Sequence, residues 1–219
     1  MYGRSFCLLM LVALTTSTLI AQRDVAVRQI PRPSGTHLRD AVRPEDKAIV
    51  VIDTTDPPLT VSLPDDVNLI KSSFDGTDGM VLARVERRRG RLTSAGDWVQ
   101  SDITARVIEV FKAPRSANLR PNSTLAFVEE GGEVQISGAR ITAIVPWFRP
   151  LETGQTYLVG LGVDPESGRI LVWPGYELKN GRFNDLSRPP DRPDLVDSIE
   201  RDLSEQVLVE LRDLARTSR

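Results

Sequence analysis

Cysteine and histidine are almost absent from this 219-residue chain, which contains one of each. Cys7 lies inside an apolar run at the N-terminus, and His37 lies in a segment rich in proline and arginine. A structural zinc site takes several Cys or His ligands, and a Ser/His pair would depend on His37 alone. The composition therefore excludes a disulfide within the chain and cysteine-based catalysis after Cys7. Carboxylates remain as the candidates for acid/base chemistry or metal binding.

Long apolar runs are also missing, and none approaches the roughly 20 residues that span a bilayer. The longest run extends from Phe6 to Leu14, after Arg4 and before Ala21. A charged start, a short apolar core and a small residue at the cut are typical of a secretory signal peptide. We expect residues 1–21 to be that signal, and the mature chain to be an exported bacterial protein of the periplasm or the extracellular space. An uncleaved N-terminal anchor is the alternative, because Leu19 is not the small residue preferred two positions before the cut.

Neither sign of charge dominates the composition. The formal net charge of −2 at pH 7 becomes −3 when residues 1–21 leave with Arg4. Such a balance argues against nucleic acid or an anionic membrane as the general partner. The adjacent glycines Gly131 and Gly132 do not form a phosphate loop, because the segment around them lacks the Lys and Ser/Thr of a P-loop. We expect no cofactor.

Strand patterns fill residues 47–186, where apolar and polar residues alternate over short segments such as 81–85 and 103–107. After Val107 the apolar phase shifts by one residue, which predicts a β-bulge that bends the strand. Asn180-Gly181 is a strong signal for a β-hairpin. We therefore predict a mainly β fold, a small antiparallel OB-like barrel.

The segments outside the predicted barrel have other patterns. Residues 22–46 show no apolar period, and we expect an extended, poorly ordered linker in which His37 is solvated. A short helix is expected from Pro64 to about Phe74, before most of the strands. Residues 193–217 place apolar side chains at three-to-four spacing, which predicts a long amphipathic helix. Its apolar stripe is wide enough to pack against the barrel or against another chain.

The order of these pieces resembles a diffuse group of exported bacterial OB-fold-like proteins, whose barrels are similar to the netrin-like module of tissue inhibitors of metalloproteinases. The resemblance covers residues 68–183 and rests on "LIKSSFDGTDGMVLARV", "ARVIEVFKA", "GGEV", "PLETGQTYLVGL" and "YELKNGRF". It implies a fold and no activity. The inhibitor family acts through an N-terminal cysteine and disulfides, which this sequence lacks, so no functional residue is carried over.

Three carboxylates, Glu129, Glu130 and Glu133, surround two glycines. They could ligate a hard cation such as calcium, or two of them could act as an acid/base pair in glycoside hydrolysis. Alternation places Glu129 toward the core with Leu125 and Phe127, and Glu130 outward. We expect first a turn between two barrel strands, with Glu130 and Glu133 as weak candidates for a cation site.

Two further groups of residues are candidate binding sites. Arg87, Arg88, Arg89 and Arg91 form a candidate anion patch, although a solvated hairpin end whose charges discourage strand aggregation is the favoured interpretation. Aromatic residues at strand ends either line a ligand groove or cap the barrel core, and capping is favoured. These aromatic residues are Trp98, Trp147, Phe148, Trp173 and Tyr176.

The side chains that usually carry catalysis are scarce, so we expect an exported, non-enzymatic binding or scaffold module whose partner is a protein or a small ligand. One alternative is a carboxylate-based glycan hydrolase. The other is an assembly protein of the cell envelope that self-associates through residues 193–217.

Overall fold

The computed structural model describes residues 27–54, 68–115, 117–146, 149–163, 170–186 and 203–218. The predicted signal peptide lies outside these residues. Within them the chain forms ten strands: β1 (Val27–Pro31), β2 (Ala48–Ile52), β3 (Gly79–Leu92), β4 (Val99–Lys112), β5 (Thr124–Glu130), β6 (Gly132–Ile136), β7 (Ala139–Ile144), β8 (Thr156–Val163), β9 (Ile170–Lys179) and β10 (Arg182–Asp185). Three helices accompany them: α1 (Leu38–Ala41), α2 (Leu69–Gly76) and α3 (Ser204–Thr217). The mainly β prediction is confirmed.

The strands form two sheets. The large sheet has six antiparallel strands in the order β10-β9-β8-β3-β4-β5. The small sheet has the order β1-β2-β7-β6, and its β1–β2 and β2–β7 pairs are parallel. Neither sheet closes into a barrel within the described residues, although β5 lies near β9. The predicted small antiparallel OB-like barrel is not confirmed, and antiparallel pairing is wrong for β2 and β7. Parallel pairing joins segments far apart in sequence and leaves no hairpin signal between them.

The two longest strands, β3 and β4, are bent by bulges. Leu82 of β3 faces Glu109 of β4, whereas the next residue of β3, Ala83, faces Val107. The register of the pair therefore shifts by one residue at this point. Ile108 is therefore the extra residue on β4, as the phase shift in the sequence predicts. The Asn180-Gly181 hairpin is also confirmed between β9 and β10, with positive φ angles at both residues.

Apolar side chains gather in three clusters around the long strands. On β3, Val81, Ala83 and Val85 face one side and pack with β4, β5 and β8. Met80 and Leu82 face the other side, where α2 and α3 cover them. The third cluster lies between the small sheet and the far end of β4, and Trp98 belongs to it. One pair of long strands thus supports all three clusters.

The expected linker is partly wrong. Residues 27–31 form an edge strand of the small sheet, and Leu38 is 1% exposed in its core. Arg28 forms an ion pair at 2.6 Å with Asp46, which lies 18 residues further along the chain, so the two ends of this segment are in contact. A parallel edge strand is held in place by a strand that is distant in sequence, so the local pattern of apolar residues does not reveal it. Residues 22–26 lie outside the described part of the chain.

The two longer helices, α2 and α3, are described from Leu69 and from Ser204 onward. Asn68 caps α2 by accepting a hydrogen bond from the backbone N–H of Lys71 at 2.8 Å. Residues 64–67 and 193–202 lie outside the described residues. In α3 the side chains of Val207 and Leu211 are fully buried. The apolar stripe of this helix therefore packs against the large sheet of its own chain, which was one of the two predicted uses.

Candidate functional site

The acidic segment from Glu129 to Glu133 carries the chain from one sheet to the other. Glu129 lies at the end of β5, which pairs with β4, whereas Glu133 lies in β6, which pairs with β7. The expected turn between two strands of one barrel is therefore wrong. Gly131 and Gly132 have φ angles of 85° and 130°, which residues other than glycine rarely adopt. The two glycines therefore permit the change from one sheet to the other.

Close backbone approach explains a further glycine, in β3. A Cβ atom at Gly90 would overlap the carbonyl oxygen of Glu133, because β6 passes directly over this point of the large sheet. A Cβ at Gly132 would likewise overlap the hydroxyl of Ser101. At these two points the close approach of the small sheet to the long strands requires that a side chain be missing. Gly90 received no role in the sequence analysis, since a lone glycine in a strand does not reveal what crosses it.

A buried ion pair lies beside this crossing. Glu129 is 6% exposed and accepts hydrogen bonds from Arg88 at 3.1 Å and from the backbone N–H of Leu151 at 2.9 Å. Burial raises the pKa of the Glu129 carboxyl above its ordinary value, while the Leu151 N–H and Arg88 oppose this shift. Both carboxylate oxygens are engaged by these donors. The arrangement joins β3, β5 and the segment before β8.

The two weaker cation candidates do not share this environment. Glu130 and Glu133 are both exposed, and they lie on strands of different sheets. Glu133 accepts a hydrogen bond from the Thr142 hydroxyl at 3.3 Å. Within the described residues there is no cluster of three or more His, Cys, Asp or Glu that could hold a metal ion. A cation site at Glu130 and Glu133 stays a prediction.

The structure separates the four arginines of the candidate anion patch. Arg88 points to the inner side, where it meets Glu129. The other three, at alternate positions, lie on the outer side of β3, where Arg87 and Arg89 are exposed. Arg91 donates to both oxygens of Asp102 at 2.8 Å, with more than 40% of each side chain exposed. Three of the four arginines therefore share one surface.

This surface, which we call the open face, is the outer side of residues 84–91, 100–106 and 126–130. In its cross-strand rows Arg89 faces Asp102, which faces Val128, and Arg87 faces Thr104. It carries five arginines against three carboxylates: Arg84, Arg87, Arg89, Arg91 and Arg106 against Glu86, Asp102 and Glu130. The other end of the same sheet face is covered by α2 and α3. The open face is thus the uncovered half, and it has an excess of positive charge although the chain as a whole is acidic.

Two of the five aromatic candidates for a ligand groove, Trp98 and Tyr176, lie in different parts of the fold. Trp98 is fully buried in the cluster under the small sheet, with the guanidinium of Arg32 4.6 Å from its ring centroid. Tyr176 is half-buried beside the helices and contacts Phe183 edge to face, at 6.5 Å between centroids. These two side chains lie in different clusters, so they cannot line one groove. The remaining candidates, Trp147, Phe148 and the Trp173 side chain, lie outside what the structure describes.

A second buried carboxylate, Asp53, was missed by sequence reasoning. It is 5% exposed and forms an ion pair at 3.1 Å with Arg32, the arginine that covers Trp98. His37, exposed as expected, lies against the turn at Gly96 at the edge of this region. Nothing in the local pattern marks Asp53, because it follows β2 and its partner follows β1, and only the parallel pairing brings them together.

Comparison with known proteins does not assign the chain to a group. No protein-family model matches it, and no curated protein is significantly similar to it. A search for membrane-spanning segments within the described residues finds no helix that is both long enough and apolar enough.

Proposed function

We propose that this protein is a non-enzymatic binding or scaffold module that holds an acidic partner on the open face. The observation that carries this proposal is the concentration of arginine on the open face, the part of this sheet face that α2 and α3 leave uncovered. Arg87 and Arg89 are exposed, and Arg91 is held in place by Asp102. Alternate residues of a strand lie about 7 Å apart, so these arginines form a straight column.

Charge and apolar surface occur together on the open face. Val128, in the same row as Arg89, is 39% exposed, and Ala126 is exposed beside it. A surface that combines arginine with apolar side chains both attracts an acidic partner and excludes water from the contact. The attraction is electrostatic and solvent-exposed, so we expect it to weaken as salt is added.

The glycan hydrolase alternative receives no support from the acidic segment. Glu129 is held by Arg88 and Leu151, whereas Glu130 projects from the opposite side of β5. A pair of catalytic carboxylates must face the same bond from either side. The burial of Glu129 against an arginine instead matches a structural ion pair between strands.

Binding of poly-L-glutamate, measured by fluorescence anisotropy at several salt concentrations, tests the proposal. The double substitution Arg87→Gln/Arg89→Gln should weaken binding about tenfold or more, since two exposed charges leave the surface. Arg39→Gln/Arg140→Gln is the matched control, because it removes two exposed arginines outside the open face. Equal loss in both variants would show that only total charge matters and would contradict the proposal.

We also propose that the large sheet is a partly open, OB-like barrel of the kind found in the exported bacterial proteins that the sequence resembles, and that the chain is exported. The bulges in β3 and β4 and the approach of β5 to β9 support the barrel. The apolar run from Phe6 to Leu14 supports export. The mass of the protein recovered from a bacterial periplasm tests the second point, with an N-terminus at Gln22 expected.

A further inference from the structure

The outward side of α3 carries three carboxylates. A depression of about 670 Å³ lies over it, and all three are among the described residues that line it. One of them, Asp213, forms an exposed ion pair with Arg216 of the same helix at 2.9 Å. The carboxylates are Glu205, Glu210 and Asp213. Val209, between them, is 53% exposed, whereas Val207 and Leu211 on the inner side are buried. We call this side of the helix the acidic face.

The acidic face and the open face are complementary in charge and in pattern. One presents carboxylates around an exposed valine, Val209, and the other presents arginines around an exposed valine, Val128. We propose that a second copy of this chain docks the acidic face of its α3 on the open face of the first. This inference rests on the proposed function and identifies the acidic partner as another copy of the protein.

The dimensions of the two faces agree. Eight residues separate Glu205 from Asp213, which is about 12 Å along a helix. Four residues separate Arg87 from Arg91, which is about 14 Å along a strand. One face of the helix therefore matches the arginine column in length. Glu205 would meet an arginine at one end, and at the other end Asp213 would exchange its partner Arg216 for an arginine of the sheet.

The helix of each chain already shows how it contacts this sheet. On its inner side α3 covers the first half of the same sheet face, and Arg212 donates to both oxygens of Glu109 at 2.7 Å. The α3 helix of a second copy would cover the other half of this sheet face, the open face. The charges would be exchanged there, because the sheet supplies the arginines and the helix supplies the carboxylates. The two faces belong to different parts of the chain, so the contact is heterologous and can repeat from copy to copy.

The contact involves one side of a short helix and parts of three strands, so it is small compared with stable protein interfaces. We therefore expect association that depends on protein concentration and weakens as salt is added. Sedimentation velocity of the mature chain, at increasing concentration and at low and high salt, measures it.

Charge-reversal substitutions test whether the acidic face and the open face form the contact. Glu205→Lys/Asp213→Lys and Arg87→Glu/Arg89→Glu should each weaken self-association by about tenfold or more, since attraction becomes repulsion. Mixed together, these two variants should form a complex, because each retains the face that the other lacks. A chain that carries all four substitutions should associate again, since both charges are exchanged. This recovery separates loss of contact from loss of folding.

The control Asp40→Lys/Glu45→Lys makes the same change in net charge as the helix reversal, at exposed positions of another region, and it should leave association unchanged. A wild-type chain that stays monomeric at every concentration overturns the inference, as does association that neither reversal alters. Failure of the mixed and four-substitution chains to associate also overturns it. If poly-L-glutamate still binds through Arg87 and Arg89 in any of these cases, the proposed function stands and only the identity of the partner is wrong.

Discussion

Substitution of Glu129 by glutamine tests whether the ion pair beside the sheet crossing is structural. The variant leaves Arg88 facing a neutral amide, while the oxygen of that amide can still accept from the Leu151 N–H. Removal of one partner of a buried pair costs about 3–5 kcal/mol. Because the Arg88 side chain is 23% exposed and water reaches it, we expect a smaller loss of unfolding free energy, about 2–3 kcal/mol.

A second substitution separates the charge from the shape of the site. In Glu129→Gln/Arg88→Met the unpaired arginine is also removed, and an apolar side chain fills part of its place. Replacing both partners of a buried pair is often nearly neutral. We therefore expect the double variant to regain more than half of the stability that Glu129→Gln alone loses.

Urea unfolding at neutral pH, followed by tryptophan fluorescence, measures both effects. Each variant is compared with the wild type at the same pH, so the titration of other groups largely cancels. The reasoning is refuted if Glu129→Gln is as stable as the wild type. It is also refuted if the double variant is less stable than the single one, since the arginine would then contribute stability without its partner.

The same unfolding measurement checks two further predictions. Gly90→Ala should lower the unfolding free energy by about 1–3 kcal/mol or more, because the new methyl group meets the backbone of β6. Gly76→Ala, where a Cβ would contact nothing within 4 Å, is its control, and equal effects would contradict the crossing geometry. Leu211→Ala should cost about 2–5 kcal/mol, since this side chain is fully buried on the inner side of α3. Val209→Ala on the same helix should change stability by about 0.5 kcal/mol or less, and a reversed order would mean that α3 packs by its other side.

Patterns with short periods predicted much of the local structure. Alternation placed Val81, Ala83 and Val85 on one side of a strand, and the phase shift after Val107 located a bulge. The same alternation predicted that Glu129 points inward and Glu130 outward, and in the structure Glu129 is buried and Glu130 is exposed. These predictions succeed because neighbouring side chains on a strand must point to opposite faces, whatever the strand pairs with.

Contacts between distant segments were not predictable in this way. The parallel pairing of β1 with β2 and of β2 with β7 connects residues that are far apart in the chain, such as Ile49 and Ile141, and it made an expected linker into part of a sheet. Arg88 was counted with its neighbours as one anion patch, although it points away from them toward Glu129. Which of two faces a charged side chain joins depends on what lies over that face, and a single sequence does not contain that information.

The sequence by itself determined that no disulfide forms within the chain, that strands dominate and that an amphipathic helix lies near its C-terminus, since each follows from composition or from a period within one segment. The tertiary structure alone decided that the acidic segment from Glu129 to Glu133 carries the chain between two sheets, that Gly90 makes room for this crossing and that three arginines share an uncovered face. The physical reason is that burial and strand pairing depend on contacts between segments far apart in the chain, whereas periodicity depends only on neighbours.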